Sequence, residues 1–194
     1  MKNNILEIEL ASENVQWAAR AAQSSFAKWE SRQGYYNNRM GSHFIGKLGE
    51  LAVEEFLLSQ NLKLDSHFRF SDRENLSDIV VKINRYKKIS RIEVKTWSHA
   101  YWQELGRCVS VDQYPVLKNK TDLIVWCLVH EIDAKEMLGH PQPVKVMLAG
   151  WSKIEDVLNA PIKLTGLDNM RKVNNYQLAE SDLHDMSSFS GAIL

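Results

Sequence analysis

The chain has 194 residues, 44% hydrophobic and 25% charged, with 24 basic residues balanced by 24 acidic ones. That length suits one domain with a sizeable core, and the composition excludes a disordered chain. No apolar run approaches the roughly 18 residues that span a bilayer, so no membrane partner is expected. Glu7 and Glu9 stand where a signal peptide would have its apolar stretch, which makes a cytoplasmic location the expectation. Cys108 and Cys127 are too few for a disulfide framework, and the six histidines show no zinc-ligand spacing. Zero net charge argues against a broad electrostatic grip on a polyanion but leaves room for one basic face.

In chain order, Ser12 is placed to cap a helix running to about Arg32. Val15, Ala18 or Ala19, Ala22, Phe26 and Trp29 recur there at three- and four-residue steps. Gly34 would end it, and residues 35–42 read as a loop. A second helix is predicted from Gly46 to Ser59, with Gly46, Gly49, Glu50, Val53 and Leu57 on one face; glycines there allow close approach to whatever lies beneath. Leu62 to Phe70 reads as a strand, and residues 71–75 as a polar turn. Asp78 to Ile83 and Ile89 to Thr96 read as a strand pair joined by a short basic turn. Val111 to Lys120 is predicted helical despite Pro115. The run Leu-Ile-Val-Trp-Cys-Leu-Val within 122–130 suits a central strand buried on both faces. Val144 to Gly150 is another strand, Ser152 and Glu155 form a capping box for a short helix ending before Pro161, and Val173 to Leu178 is a strand in the tail. The fold class expected is α/β, an α+β sandwich with a mixed central sheet flanked by helices. One domain, 1–194, would comprise a helical N-terminal extension (1–45), a core (46–160) and a tail packing on that core (161–194).

The strand pair carries the chemistry. Side chains alternate along a strand, so Ile79 and Val81 face opposite to Asp78, Val80 and Lys82, while Ile92 and Val94 face opposite to Arg91, Glu93 and Lys95. The two apolar sets must share the core face, which fixes the parity of the register. Asp78 then stands across from Glu93 or Lys95 and never from Val94. A four-residue turn at 85–88 would set Asp78 opposite Lys95 and Val80 opposite Glu93. Two carboxylates about 4 Å apart repel by roughly 4 kcal/mol at an effective dielectric near 20. A proton, Lys95 or a cation must offset that, and hard oxygen ligands suit Mg²⁺. Lys95 beside two acids is expected to stay charged.

Taken with Glu50 on the preceding helix, this order resembles the PD-(D/E)XK nuclease superfamily, in which a helix glutamate precedes an aspartate and then Glu-x-Lys on the next strand. The Gly-x-x-Gly-Glu segment at 46–50 is similar to members of that family, and the resemblance covers about residues 46–130. Ser77 stands where the family's proline would be. The resemblance implies a restriction-endonuclease-like fold over the core. It implies Mg²⁺, or Mn²⁺ in its place, on Asp78 and Glu93, with Glu50 supporting the metal or a second ion and Lys95 acting on the attacking water. Gln113 is a further candidate.

From Lys82 to Lys95 six basic residues face Glu93 alone. Lys82, Arg85, Lys87, Lys88 and Arg91 could contact phosphates beside the metal or simply form a solvated hairpin tip. Trp97, His99, Tyr101 and Trp102 could stack on bases or pack against the N-terminal helix, whereas Trp17, Trp29 and Trp126 read as core. The expected activity is Mg²⁺-dependent DNA endonuclease of restriction, defence or phage type, in a homodimer if both strands are cut. The alternatives are a non-catalytic nucleic-acid-binding or assembly protein of the same fold, and a branched-DNA (Holliday junction) resolvase.

Overall fold

The computed structural model describes residues 5–29, 39–70, 76–83, 88–166 and 172–193. In chain order these form β1 (Leu6–Leu10), α1 (Ser12–Trp29), α2 (Arg39–Ser59), β2 (Leu64–Ser66), a 3₁₀ turn at His67–Arg69, β3 (Ile79–Ile83) and β4 (Lys88–Ser98). A 3₁₀ turn at His99–Tyr101 leads into α3 (Trp102–Leu105), β5 (Cys108–Ser110), α4 (Tyr114–Lys120), β6 (Leu123–Val129) and α5 (Ala134–Gly139). The rest is β7 (Val144–Lys153), α6 (Ile154–Asn159), β8 (Ile162–Thr165), β9 (Val173–Gln177) and α7 (Phe189–Ile193). The fold is mixed α/β, with a six-stranded sheet in the order β1-β7-β6-β4-β3-β2 and a small second sheet in the order β5-β9-β8. Within the large sheet only β4 and β6 pair in parallel.

All seven residues of β6 are buried, as a central strand covered on both faces requires. Val125, Cys127 and Val129 join Ile79, Val81, Ile92 and Val94 in one core against α1 and α2. Ile124, Trp126 and Leu128 point the other way, into a second core with Trp102, Tyr114, Leu117, Ile154 and Leu183. Burial of each large apolar side chain contributes about 1.5–3 kcal/mol. Trp126 satisfies its one donor by giving a hydrogen bond to Ser152 Oγ at 3.0 Å. In the tail, Phe189 and Ile193 of α7 are fully buried in the first core.

Several expectations change. The N-terminal region is not purely helical, because β1 pairs antiparallel with β7 and forms one edge of the sheet. Ala11 rather than Ser12 supplies the first accepting carbonyl of α1, receiving Val15 N–H at 3.1 Å. Residues 39–42 are helical, so α2 begins well before Gly46; Phe44, Leu48 and Leu51, all fully buried, extend its apolar stripe past the glycines. The segment 62–70 is only partly strand, and α4 starts at Tyr114, with Pro115 in its first turn where a missing N–H costs nothing. Ser152 lies inside β7, so α6 is opened instead by Asp156, whose Oδ2 accepts from Lys153 N–H at 2.9 Å. Gly34, residues 35–38, the turn at 71–75 and Arg85, Tyr86 and Lys87 lie outside the described residues, as do the side chains of Phe26, Trp29 and Lys88.

Parity is as expected in the β3–β4 pair, but the register differs by two residues. Ile79 stands opposite Ile92 and Val80 opposite Arg91, so continuing the ladder by one step sets Asp78 against Glu93, not Lys95. Burial of the apolar faces selects parity only, and the joining segment spans 84–87 rather than 85–88.

Candidate active site

Glu50, Asp78, Glu93 and Lys95 come together where β3 begins alongside β4. Gly49 is the reason α2 reaches them. A Cβ on Gly49 would sit 1.8 Å from Thr96 Oγ1, so the helix backbone rests directly on β4 there. Gly46, by contrast, faces open space and is not needed for contact. Asp78 precedes the first paired residue of β3, and its Oδ2 accepts the Val94 N–H at 2.7 Å. This bond extends the ladder by one rung and fixes the carboxylate beside Glu93.

The acids are matched by three lysines. Lys47 Nζ donates to Glu50 Oε2 at 2.6 Å, an i,i+3 pair on α2. Lys95 Nζ donates to Glu93 Oε1 at 2.9 Å, and Lys120 Nζ lies 3.0 Å from Glu93 Oε2. Burial raises the Asp78 carboxyl well above the usual range, and the charges of Glu93 and Glu50 add to that. Burial likewise raises Glu50, against the pull of Lys47. Glu93 is the exception: burial would raise it, but Lys95 and Lys120 outweigh burial and hold it low. Burial alone would lower Lys95, yet Glu93, Asp78 and Glu50 keep it above its ordinary value and therefore charged at neutral pH. The three acids thus divide into one held as carboxylate, Glu93, and two drawn toward their protonated forms.

The donor chemistry fits a hard divalent cation. Asp78 and Glu93 occupy facing positions, and Glu93 Oε2 is buried with no well-directed hydrogen bond, its nearest charge being the off-line Lys120 ammonium. Among the described residues no three His, Cys, Asp or Glu side chains converge on a single point. In this arrangement the lysines stand against the carboxylates that would hold the ion.

The basic strip is less available than the sequence suggests. Lys82 forms an ion pair with Asp65 of β2. Arg91 is bound to both oxygens of Asp122, at 2.7 and 3.1 Å, and to Asn119 O at 2.6 Å, which ties β4 to the α4–β6 connection. Arg85 and Lys87 lie outside the described residues, and of Lys88 only the backbone is described, opposite Ile83. Trp102 is buried in the second core rather than against α1, under the Arg107 guanidinium, and His99 stacks on His130 with ring centroids 5.1 Å apart.

Two residues of this cluster escape a reading of the sequence. Lys47 is three residues from Glu50 and could have been found from helical spacing alone. Lys120 gives no such signal: it meets Glu93 only because β6, which follows α4, lies parallel to β4, with Ile124 beside Glu93. Compared with protein-family models, curated proteins and solved structures, the chain matches none.

Proposed function

We propose that the protein is a Mg²⁺-dependent DNA endonuclease with its site at Glu50, Asp78, Glu93 and Lys95, in keeping with the resemblance to PD-(D/E)XK nucleases. The observation that carries this reading is the burial of Glu50, Asp78 and Glu93 beside Lys95, with Asp78 and Glu50 drawn toward their protonated forms, a state that a bound cation would reverse. Asp78 and Glu93 would hold the ion, and Glu50 would support it. A bound Mg²⁺ would supply Lewis-acid activation of water and stabilisation of charge on the phosphate. The chain's own contributions are positional. Val94 N–H aims Asp78, and Lys120 keeps Glu93 ionised and in place. Lys95, charged while the carboxylates face it, would act as a donor that orients the water or neutralises a phosphate oxygen, and as a general base only once a bound ion neutralised those carboxylates.

A second reading has its own support. Lys47, Lys95 and Lys120 already oppose Glu50 and Glu93 in ion pairs, as they would in a non-catalytic nucleic-acid-binding or assembly protein that kept the arrangement for folding. Incubation with Mg²⁺ and duplex, branched and single-stranded DNA separates the two. Wild-type cleavage about 10²–10³-fold above Lys95→Ala and Asp78→Ala supports the enzyme. Equal, background-level cleavage by all three proteins favours the binding protein. Preference for four-way junctions over linear DNA would identify a resolvase.

A further inference from the structure

Lys95 belongs to two features at once. On one side it meets the carboxylates; on the other it lines a cleft of about 860 Å³ that runs from the end of β4 across the small second sheet. The walls come from the start of α2, the end of β4, β5 with the residues before α4, the segment after β6, and the β8–β9 pair. The volume is that of a pocket for a small molecule or cofactor. A double helix does not enter a space of this size, whereas a splayed nucleotide does.

Charge points the same way. Among the described residues of the lining, two cations, Lys95 and Lys135, are balanced by two anions, Glu131 and Asp133. A run of phosphates, on one strand or two, is gripped by a cationic surface, so a charge-balanced lining suits one nucleotide rather than a length of backbone. The rest of the lining includes residue types that a base and sugar need: the half-buried Tyr101, Gln113 and Ser98.

Ser98 is the telling residue. It is only 6% exposed, yet its Oγ has no hydrogen-bond partner among the described residues. It stands immediately before the 3₁₀ turn His99–Tyr101, where a serine normally bonds the backbone of that turn, but its side chain makes no capping bond. A buried hydroxyl left unpaired is costly, and the residue that carries this one is part of the cleft wall.

We infer that the cleft receives an unpaired nucleotide next to the phosphate at Lys95, with Ser98 bonding the nucleoside and Tyr101 stacking on the base, so that the substrate class is single-stranded DNA. The inference rests on the nuclease reading for the identity of the ligand, but its test does not depend on cleavage. Fluorescence anisotropy in EDTA compares a fluorescein-labelled 12-nucleotide single strand with a blunt duplex of the same sequence. The expected result is single-strand binding at least tenfold tighter, weakened about tenfold by Tyr101→Ala and about five- to tenfold by Ser98→Ala, with duplex binding unchanged. Ser98→Ala removes a hydroxyl that meets no partner among the described residues, so its melting temperature should stay at or above wild type, which would separate the affinity loss from a folding defect. Equal affinity for both DNAs, or single-strand affinities of both variants within twofold of wild type, overturns the inference. Cutting of duplex but not of single strands also overturns it and leaves the nuclease standing; single-strand preference in a protein that cuts nothing supports the cleft and removes the nuclease.

Discussion

Glu54 and Glu50 lie one turn apart on α2, and both are largely buried. Glu54 is closed from outside the helix: Arg69 donates from Nε to both carboxylate oxygens, at 2.8 and 2.9 Å, and from Nη2 to one, while its guanidinium covers Trp17 and Phe68. Glu50 is held by a lysine of its own helix and feels the charges of Glu93 and Lys95. A planar fork on a carboxylate makes a rigid, self-sufficient clamp. Flexible single-point lysines around several acids make a group that can exchange its counter-charges. Burial of an acid therefore does not mark function by itself; what separates the two glutamates is the kind of partner.

The largest effect expected is at the clamp. Glu54→Ala leaves Arg69 unpaired against the α1–α2 core and should cost about 3 kcal/mol in urea unfolding, while leaving any response to Mg²⁺ intact. A loss below about 1 kcal/mol would erase the distinction drawn between the two glutamates. The converse holds at the other cluster. Mg²⁺ at a hundred times its Kd should stabilise the wild type by about 2.7 kcal/mol and give no such gain in Asp78→Asn. An equal shift in both proteins would place the ion elsewhere.

Gly49→Ala drives a methyl into Thr96 and should destabilise by about 2 kcal/mol in urea unfolding, with loss of any Mg²⁺-dependent cleavage if Glu50 belongs to the site. Gly46→Ala meets open space and should instead stabilise, by up to about 1 kcal/mol. The smallest effect is a pH dependence. The Asp78 carboxyl is raised in the folded protein, first by burial and then by Glu93 and Glu50. A raised acid lowers folding stability as pH climbs from the ordinary aspartate range toward the folded value, and contributes nothing below that range. In EDTA, Asp78→Asn should therefore melt above wild type at pH 7.5, with the difference closing toward pH 4. A gap that stays constant with pH would show that Asp78 ionises as freely as in the unfolded chain.

The sequence spoke clearly where one physical demand dominated. The run from Leu123 to Val129 could only be a strand buried on both sides, and alternation in β3 and β4 put Asp78, Glu93 and Lys95 on one side of the sheet. It was silent where the outcome depends on partners distant in the chain. Ile162 and Leu164 of β8 are largely exposed, so β8 shows no buried face in its pattern. Lys120 depends on a parallel crossover, and the two-residue choice of register depends on a turn rather than on burial.

β1 has a consequence for solubility. Its Leu6, Ile8 and Leu10 turn toward the core while Glu7 and Glu9 face solvent, with Glu7 paired to Lys145 at 2.8 Å. It thus caps β7 with a short strand bearing acids on its outer face, the kind of border that discourages sheets from joining edge to edge. Without residues 1–10, the backbone of Val144–Leu148 would lose its pairing and offer five residues of open ladder to another chain. Such a variant should elute as higher-order species in size-exclusion chromatography even where its site residues are untouched; a clean monomer would mean that another segment closes that edge.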